Sequence, residues 1–270
     1  MQNHLQLLVH FILILFSQSQ NPKCRANNGD PAEDWAILYK APGQTRGKIL
    51  VSRNAGAWVD GNGDLTRREQ QSFGVTLEHV VGNHDQIKFL AYNNVPPRMT
   101  NVKTRSNSKG VIIVQTTPGT DAASWIVHTV PGFPAAKTGY SWPVAENAKG
   151  HLLICLTISE SQINAIVIVK ALKKTIKVWS RRDNKLKGDC RVVERNIRLI
   201  KSPAPVSDHN TNLDADMTNW AVSDPGNIFC LIDRPYAKNQ TVQSAMAVCI
   251  DQADIFARFN DIAAQVEDCP

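Results

Sequence analysis

Short apolar runs separated by turn-forming residues dominate the first part of the chain. Runs of apolar or alternating residues that are bounded by Gly, Pro, Asn or Asp are typical of β-strands. Residues 47–52 could pair with 35–40, because the intervening Pro42-Gly43 step favours a turn. We predict strands at residues 35–40, 47–52, 87–94, 110–114, 124–130 and 151–159.

Two segments between these strands lack a strand pattern. Residues 56–64 are rich in Gly, Asn and Asp, which favours a loop. Their DGNGD stretch is interpreted as a turn, because it lacks the further ligands of a calcium-binding loop. Residues 66–81 combine charged side chains with spaced apolar ones and predict a helix. His79 and His84 are predicted to lie on the surface.

The second part of the chain mixes both patterns. A helix is predicted at 161–174, and helical spacing is present in part of 242–259. The chain shows no strict alternation of strand and helix, no internal repeat and no low-complexity linker, so we predict one compact unit of mixed α/β or α+β class. Further strands are predicted at residues 175–180, 195–202, 219–224 and 227–233.

The N-terminal residues 5–16 form an apolar run that is too short for a membrane helix, which needs about 20 residues. Small and polar residues follow at 17–19, as at a signal-peptide cleavage site, although the preceding residues lack Lys and Arg. We predict a signal peptide at residues 1–19, the alternative being an ordinary apolar strand or helix. No later segment is apolar enough to span a bilayer.

The chain contains 6 cysteines, and an even number in an exported protein suggests disulfides. No pair has the C-x-x-C spacing of a zinc or redox site, so no metal site is predicted. At this stage every pairing of the six remains open. Asn239 begins the sequence's glycosylation triplet, Asn-Gln-Thr.

The composition, with 43% hydrophobic and 20% charged residues, is that of a globular protein. The net charge of +6 is unevenly distributed: residues 170–201 hold twelve Lys and Arg against three acidic residues, and the rest of the chain is net negative. Such a segment can bind the phosphates of a polyanion, or it can be a solvated helix face or a mobile basic loop. The candidate phosphate contacts within it are Lys173, Lys174, Lys177, Arg181 and Arg182.

Six phrases of the sequence form a distinctive set. They are DWAILYKAP (34–42), AYNNVPP (91–97), NSKGVIIV (107–114), SWIVHTVPGFP (124–134), GYSWP (139–143) and HLLICLTI (151–158). In order and spacing they resemble the deoxyribonuclease II family over most of residues 24–158. Past residue 170 the chain looks shorter than the family, and the match returns at 219–224 and in the cysteine-bearing tail.

The resemblance implies a phospholipase D-like fold, a disulfide-stapled sandwich of two similar halves around one cleft. We therefore expect residues 20–270 to form one domain, with halves at about 24–160 and 161–270 and the second half shortened. The implied activity is metal-independent, cofactor-free endonuclease cleavage of DNA at acid pH that leaves 3′-phosphate ends. The implied disulfides are Cys24 to Cys155, Cys190 to Cys269, and Cys230 to Cys249.

The family's chemistry requires two His-x-Lys motifs. One histidine attacks the phosphorus and forms a covalent intermediate. The other protonates the departing oxygen and then activates water. Each lysine offsets charge on the non-bridging oxygens.

Both motifs are altered in this sequence. The first reads Asn107-Ser108-Lys109-Gly110, so the lysine is retained and an amide replaces the histidine. An amide hydrogen-bonds a phosphate but neither titrates in this range nor acts as a good nucleophile. Lys109 is the retained candidate for both catalysis and DNA binding.

The second motif aligns with Asp216-Met217-Thr218-Asn219-Trp220, so that Met217 replaces the histidine and Asn219 the lysine. Asp208-His209 is the alternative, as a displaced copy, but no lysine follows it. The family's basic, glycine-rich turn aligns with residues 243–246, which contain neither glycine nor arginine.

A third family histidine is matched by His128, in the phrase IVHTVPGFP. It is a candidate catalytic residue. The alternative is a core histidine, since a histidine inside an apolar strand is often only structural. Trp35, Tyr39, Trp125 and Trp142 are interpreted as core or strand-face aromatic residues.

These residues favour a secreted or acidic-compartment protein of this family with lost or impaired catalysis, which still binds DNA. Two alternatives remain. One is an active acid nuclease that uses His128 with another histidine, and the other is an effector that binds an unknown protein partner.

Overall fold

The protein, seen in a computed structural model, is built on two β-sheets. The structure describes residues 21–99, 107–159, 174–182, 186–190, 196–236 and 247–268. The chain enters through a two-stranded ribbon of β1 (Cys24–Arg25) and β2 (Ala32–Glu33).

The first sheet has seven antiparallel strands in the order β5-β4-β3-β9-β8-β7-β6. Two short helices, α1 (Ser72–Thr76) and α2 (Glu78–Val81), lie between β5 and β6, and a 3₁₀ helix (Val144–Ala148) precedes β9. The strands are β3 (Trp35–Lys40), β4 (Lys48–Val51), β5 (Asn54–Asp60), β6 (Ile87–Asn93), β7 (Lys109–Gln115), β8 (Ala123–His128) and β9 (His151–Ile158).

The second sheet has five strands in the order β11-β10-β14-β15-β16. Its β10 and β11 are parallel, and its other pairs are antiparallel. A separate ribbon joins β12 to β13, and helix α3 (Ala253–Ile262) follows β16. The strands are β10 (Thr175–Trp179), β11 (Ile197–Leu199), β12 (Ala204–Val206), β13 (His209–Thr211), β14 (Trp220–Asp224), β15 (Ile228–Ile232) and β16 (Ala247–Asp251).

Strand alternation explains how the sheets pack. In β3, Ile37 and Tyr39 face the second sheet and pack with Trp179 and Trp220. The intervening residues of β3 face the opposite core, which α1 and α2 cover. Helix α3 joins the inter-sheet core through Phe259, which is completely buried. The result is the expected mixed sandwich of two halves.

The predicted strands of the first sheet are confirmed, but two other predictions near them are wrong. Residues 56–60 belong to the edge strand β5 rather than to a loop, because backbone pairing with β4 holds a segment that lacks apolar alternation. The helix predicted at 66–81 is limited to α1 and α2. Gln70 has φ 58, a left-handed conformation that interrupts a helix.

In the second part, the strands predicted near 175, 219 and 227 are confirmed, and that at 195–202 is limited to β11. The helical interpretation of 242–259 is wrong for β16, where Cys249 pairs directly with Cys230 of β15. The helix starts only at Ala253, where the Gln252 side chain accepts a hydrogen bond from the Ile255 amide. Of the helix predicted at 161–174, residues 161–173 lie outside the described residues.

Two of the implied disulfides are present. Cys24 is bonded to Cys155, which ties the start of the domain to the centre of the first sheet, and Cys230 is bonded to Cys249. Cys190 is also disulfide-bonded, but Cys269 lies outside the described residues, so that pairing stays a prediction. No helix within the described ranges is long and apolar enough to cross a membrane.

Candidate active-site cleft

A cleft of about 230 Å³ opens where the two sheets meet. The cleft is bordered by the ends of β7 and β8 from the first sheet and of β14 and β15 from the second. The segments that resemble the two motifs lie on opposite sides, although they are far apart in sequence. Asn107, Lys109, His128, Met217, Asn219 and Asp233 all line it.

The second-motif segment is held against the first sheet by backbone hydrogen bonds. The Met217 amide donates to the Gly150 carbonyl (3.0 Å), and the Gly150 amide donates to the Ala215 carbonyl (2.9 Å). Asp216, between them, is completely buried. Its carboxylate accepts hydrogen bonds from four donors, and a buried carboxylate with that many partners is a fixed structural anchor. They are the Tyr39 hydroxyl (2.5 Å), the Thr211 hydroxyl (2.5 Å), the Trp179 indole N–H (3.1 Å) and the Thr218 amide (2.9 Å).

Lys109 begins β7 and is only 8% exposed. Its Nζ donates to the Asn107 carbonyl oxygen (3.1 Å). Burial lowers the pKa of Lys109 to about 8, although Asp233 and Glu146 act in the opposite direction. The ammonium is therefore charged at acid and neutral pH, in position to attract an anion.

The glycine that follows Lys109 is required by packing. A Cβ atom at Gly110 would lie 2.3 Å from the Tyr92 hydroxyl and 2.6 Å from the Ile126 carbonyl oxygen. Tyr92 in turn accepts a hydrogen bond from the Trp125 indole N–H (3.0 Å). Lys109 thus supplies a positive charge to the cleft, and Gly110 allows β7 to pack closely against Tyr92 and Ile126.

The opposite wall carries no titratable group at the motif positions. The Met217 sulfur lies 3.2 Å from a guanidinium nitrogen of Arg181. Asn219 is 8% exposed, and its Oδ1 accepts a hydrogen bond from the Ser180 hydroxyl (2.8 Å). Neither side chain can act as a nucleophile or transfer a proton near neutral pH.

His128 ends β8 and is 3% exposed. Its Nδ1 accepts a hydrogen bond from the Val130 amide (3.2 Å), so its proton is on Nε2. Burial, with help from the positive charges of Lys109 and protonated His151, lowers the pKa of His128 to about 3. The imidazole is therefore neutral at the pH where a general acid would be needed.

His151 lies behind this site in a buried network. Its Nε2 is 2.9 Å from a Glu146 oxygen, and its Nδ1 is 3.1 Å from the Thr129 hydroxyl. Thr129 lines the cleft beside His128. Hydrogen bonding to His151 and Lys149 lowers the pKa of Glu146 to about 2 despite burial. This network holds the end of β8 in place.

Of the predicted DNA contacts in the basic segment, the structure brings only Arg181 to the cleft. Lys174 is exposed before β10, outside the cleft lining. Lys177 donates to the Asn260 side chain (2.9 Å), and Arg182 forms an ion pair with Glu267. Lys173 lies outside the described residues.

The alternative second motif is not at the cleft. His209 lies in β13, and the adjacent Asp208 forms an ion pair with Lys48 of β4. Neither residue lines the cleft. Asn239 and residues 243–246 lie outside the described residues, as do residues 1–19.

One surface prediction is wrong. His79 is only 2% exposed, because α2 packs onto the first sheet. Its ring contacts that of His84 edge-on, with centroids 5.0 Å apart. Burial lowers the pKa of His79 to about 4, and the positive charges of protonated His84 and Arg25 act in the same direction.

Sequence reasoning missed Asp233. It follows β15 and its carboxylate accepts a hydrogen bond from the Ser108 hydroxyl (2.7 Å), so the second half contacts the first motif directly. An acidic residue directly after an apolar strand was the available signal. Among the described residues, no group of three or more His, Cys, Asp or Glu side chains could hold a metal ion.

Comparison with known proteins gives a consistent result. The family model for Deoxyribonuclease II matches residues 23–175. Deoxyribonuclease-2-alpha of Rattus norvegicus is 29% identical over 168 residues, which are 57% of this chain and 46% of that protein. The protein of the same name from Sus scrofa is 30% identical over 180 residues, 62% of this chain and 47% of its own length.

A more distant relative is Cell-death-related nuclease 7 of Caenorhabditis elegans. It is 25% identical over 169 residues, 60% of this chain and 44% of that protein. The chain thus spans about half the length of the curated relatives it matches.

Proposed function

The chain belongs to the deoxyribonuclease II family, and we propose that it is a DNA-binding member that has lost the phosphohistidine route of cleavage. The observation that carries this proposal is the composition of one cleft. Asn107 and Met217, which we align with the two motif histidines, both line it, and neither can do the work of an imidazole.

The missing histidines affect both chemical steps. Without a nucleophilic imidazole there is no covalent intermediate, and loss of a positioned acid or base typically lowers a rate by roughly 10²- to 10⁴-fold. The two losses act on one catalytic unit, so they should not be multiplied.

His128 does not supply the missing acid. It is neutral at about pH 5 because its pKa lies near 3. No other histidine lines the cleft among the described residues. An active acid nuclease would need two imidazoles with complementary protonation states, and the described lining offers one.

Anion binding is supported by charges that remain. Lys109 is protonated at acid pH, and Arg181 stands across the cleft. Arg181 also lines an adjoining groove of about 530 Å³ with Lys187, Asp214 and the ion pair of Arg182 with Glu267. We propose that a DNA strand enters along this groove, with one phosphate beside Lys109.

The cellular setting is part of the proposal. The apolar N-terminal run and the disulfides support export, either to the outside of the cell or to an acidic compartment. We also propose that residues 20–270 form one domain with halves at 24–160 and 161–270.

The test is a plasmid-nicking assay at about pH 5 with EDTA, on protein purified with its disulfides intact. The unmodified protein is compared with the triple variant Asn107→His, Met217→His, Asn219→Lys, and with the same variant carrying Lys109→Met. We expect no nicking by the unmodified protein and measurable nicking by the triple variant, which Lys109→Met weakens.

Robust nicking by the unmodified protein would overturn the proposal. If His128→Ala then abolished that nicking, the active-nuclease alternative would be supported. A protein that neither nicks nor binds DNA would leave the protein-binding effector as the surviving hypothesis.

A further inference from the structure

Two amide side chains in the cleft use their acceptor atoms within the protein. Asn107 Oδ1 accepts from Asn94 Nδ2 (3.1 Å), and Asn219 Oδ1 accepts from the Ser180 hydroxyl (2.8 Å). Each amide therefore has its Nδ2 group as the atom left for a ligand. Because Asn107 and Asn219 lie on opposite walls, the cleft presents neutral donors from both halves.

The His128 ring, like these two amides, uses its acceptor atom within the protein and leaves its donor for a ligand. Its Nδ1 is occupied by the Val130 amide, so Nε2 carries the proton. That Nε2 is buried and has no hydrogen-bond partner among the described residues. A buried donor without a partner is unfavourable, so a ligand oxygen at this position would relieve that penalty.

Positive charge completes the set. Lys109 donates one hydrogen bond to a backbone oxygen and has further N–H groups, while Arg181 lies on the second wall. Asp233 is the one acidic side chain among the described lining residues, and it accepts from the Ser108 hydroxyl. Among the polar side chains of the described lining, those of Lys109, Arg181, His128, Asn107 and Asn219 offer donors, as an oxyanion requires. Asn94 Oδ1, in the same lining, is a buried acceptor without a hydrogen-bond partner among the described residues.

We infer that the cleft is a preset cage of hydrogen-bond donors for a phosphoryl oxyanion, and that its affinity is independent of histidine protonation between about pH 5 and pH 7. This inference rests on the proposed function, in which the cleft retains a DNA phosphate. Where the family carries imidazoles that gain charge in acid, Asn107 and Met217 have the same charge throughout.

The neighbouring charged groups do not change this expectation. Lys109 of β7 and His151 of β9 face His128, while Asp233 and Glu146 face Lys109. The pKa of His128 lies near 3, that of Lys109 near 8 and that of Glu146 near 2, so these three groups keep their charge over this interval. Burial also lowers the pKa of His151, despite its contact with Glu146.

The first experiment measures binding of a short single-stranded DNA with hydroxyl ends and a rhodamine label. Its phosphodiesters keep a constant charge, so any change in Kd with pH comes from the protein. We expect Kd values at about pH 5 and pH 7 to agree within about twofold at fixed salt. The double variant Asn107→His, Met217→His should bind about tenfold more tightly at the lower pH, because imidazolium adds charge.

The donor role of His128 has its own readout. His128→Phe keeps a ring but removes the donor, and should weaken binding by about tenfold or more. His128→Gln places an amide N–H near the same position and should retain affinity within about threefold. Circular dichroism at both pH values verifies that each variant is folded. Equal weakening by both variants would contradict the donor assignment.

The failure of this inference can be told from failure of the proposed function. Binding that is tenfold tighter at the lower pH, and that loses this dependence in His128→Gln, would overturn the inference while leaving DNA binding intact. Sulfate, which does not titrate in this range, is the second probe. A thermal shift with sulfate that is equal at both pH values and absent in Lys109→Met would support the cage even if DNA did not bind.

If neither DNA nor sulfate bound, both the cage and the proposed DNA binding would be wrong. Nicking of plasmid DNA by the unmodified protein would contradict the proposed loss of catalysis without bearing on the pH dependence of Kd.

Discussion

Gly150 and Asp216 are in direct contact where the two halves of the protein meet. They form a parallel β-bridge, and a Cβ atom added to Gly150 would lie 2.7 Å from the Asp216 carboxyl carbon. The neighbouring Met217 forms part of the cleft wall. This glycine therefore sets how closely the second-motif segment approaches the first sheet.

Replacement of Gly150 by alanine should destabilise the protein. The added methyl group has to displace a buried carboxylate that is fixed by four donors, and overpacking of this kind typically lowers the free energy of unfolding by about 1–3 kcal/mol. The measurement is urea-induced unfolding monitored by tryptophan fluorescence.

Gly56→Ala is the matched control, because a Cβ atom there would meet nothing within 4 Å. We expect a change of less than about 1 kcal/mol for this variant. Equal destabilisation by the two alanines would show that the Gly150 contact is not tight.

Removal of the Tyr39 hydroxyl tests the anchor itself. It donates to Asp216 at 2.5 Å, and the charged carboxylate raises the pKa of Tyr39 further above the level set by burial. A hydrogen bond to a buried charged group contributes about 1.5–3 kcal/mol, so Tyr39→Phe should lower the free energy of unfolding by that amount.

Tyr140→Phe is the comparison, since the Tyr140 hydroxyl donates to the neutral Leu65 carbonyl (2.8 Å). It should lose only about 1 kcal/mol. A larger loss for Tyr140→Phe than for Tyr39→Phe would mean that Asp216 does not depend on this donor.

Most strands and the family-like motifs could be predicted from the sequence because they depend on local patterns. The edge strand β5 could not, since Gly56 and its exposed neighbours carry no apolar alternation and are held by pairing with β4. The same holds for β16, where pairing with β15 overrides the helical spacing of its residues.

The candidate site was predictable as a set of residue types but not as a geometry. The alignment of Met217 and Asn219 with the second motif gains support from their position opposite Asn107 and Lys109. The direction of each amide depends on a partner from another segment, Asn94 for Asn107 and Ser180 for Asn219, and the Asp233 carboxylate meets Ser108 only when the two halves fold together. Local sequence contains no signal for such contacts, whereas the tautomer of His128 is set by the Val130 amide two residues away.

Stability should fall between neutral and acid pH because of buried histidines. The folded pKa of His128 is about 3, below the unfolded value of about 6.5, so between these values the unfolded chain binds a proton that the folded protein does not. The free energy of unfolding therefore decreases as pH falls through this window, by about 2 kcal/mol between pH 7 and pH 5 for this one group.

His79, with a folded pKa of about 4, should contribute a similar amount over the same interval. Urea unfolding at the two pH values measures the sum. His128→Gln and His79→Gln should each reduce the difference by about 2 kcal/mol. A stability that is equal at the two pH values would contradict the neutral state of these histidines.

Deprotonation of Lys109 should set the upper pH limit of DNA binding. Its pKa of about 8 is lower than that of an ordinary lysine, because its ammonium is buried in the cleft wall. As pH rises through this value the cleft loses the buried positive charge of Lys109, so affinity for an anion should fall by up to about tenfold per pH unit. Lys109→Arg keeps its charge and should remove this loss. Lys109→Met should bind weakly at every pH and reduce the dependence of log K on log salt by about one unit.

The control is Lys88→Met, an exposed lysine on β6 outside the cleft lining, which should leave affinity, pH dependence and salt dependence unchanged. Because both methionine variants remove one positive charge from the whole protein, a difference between them isolates the position of Lys109 from the net charge; identical binding curves for the two would mean that DNA does not reach the cleft.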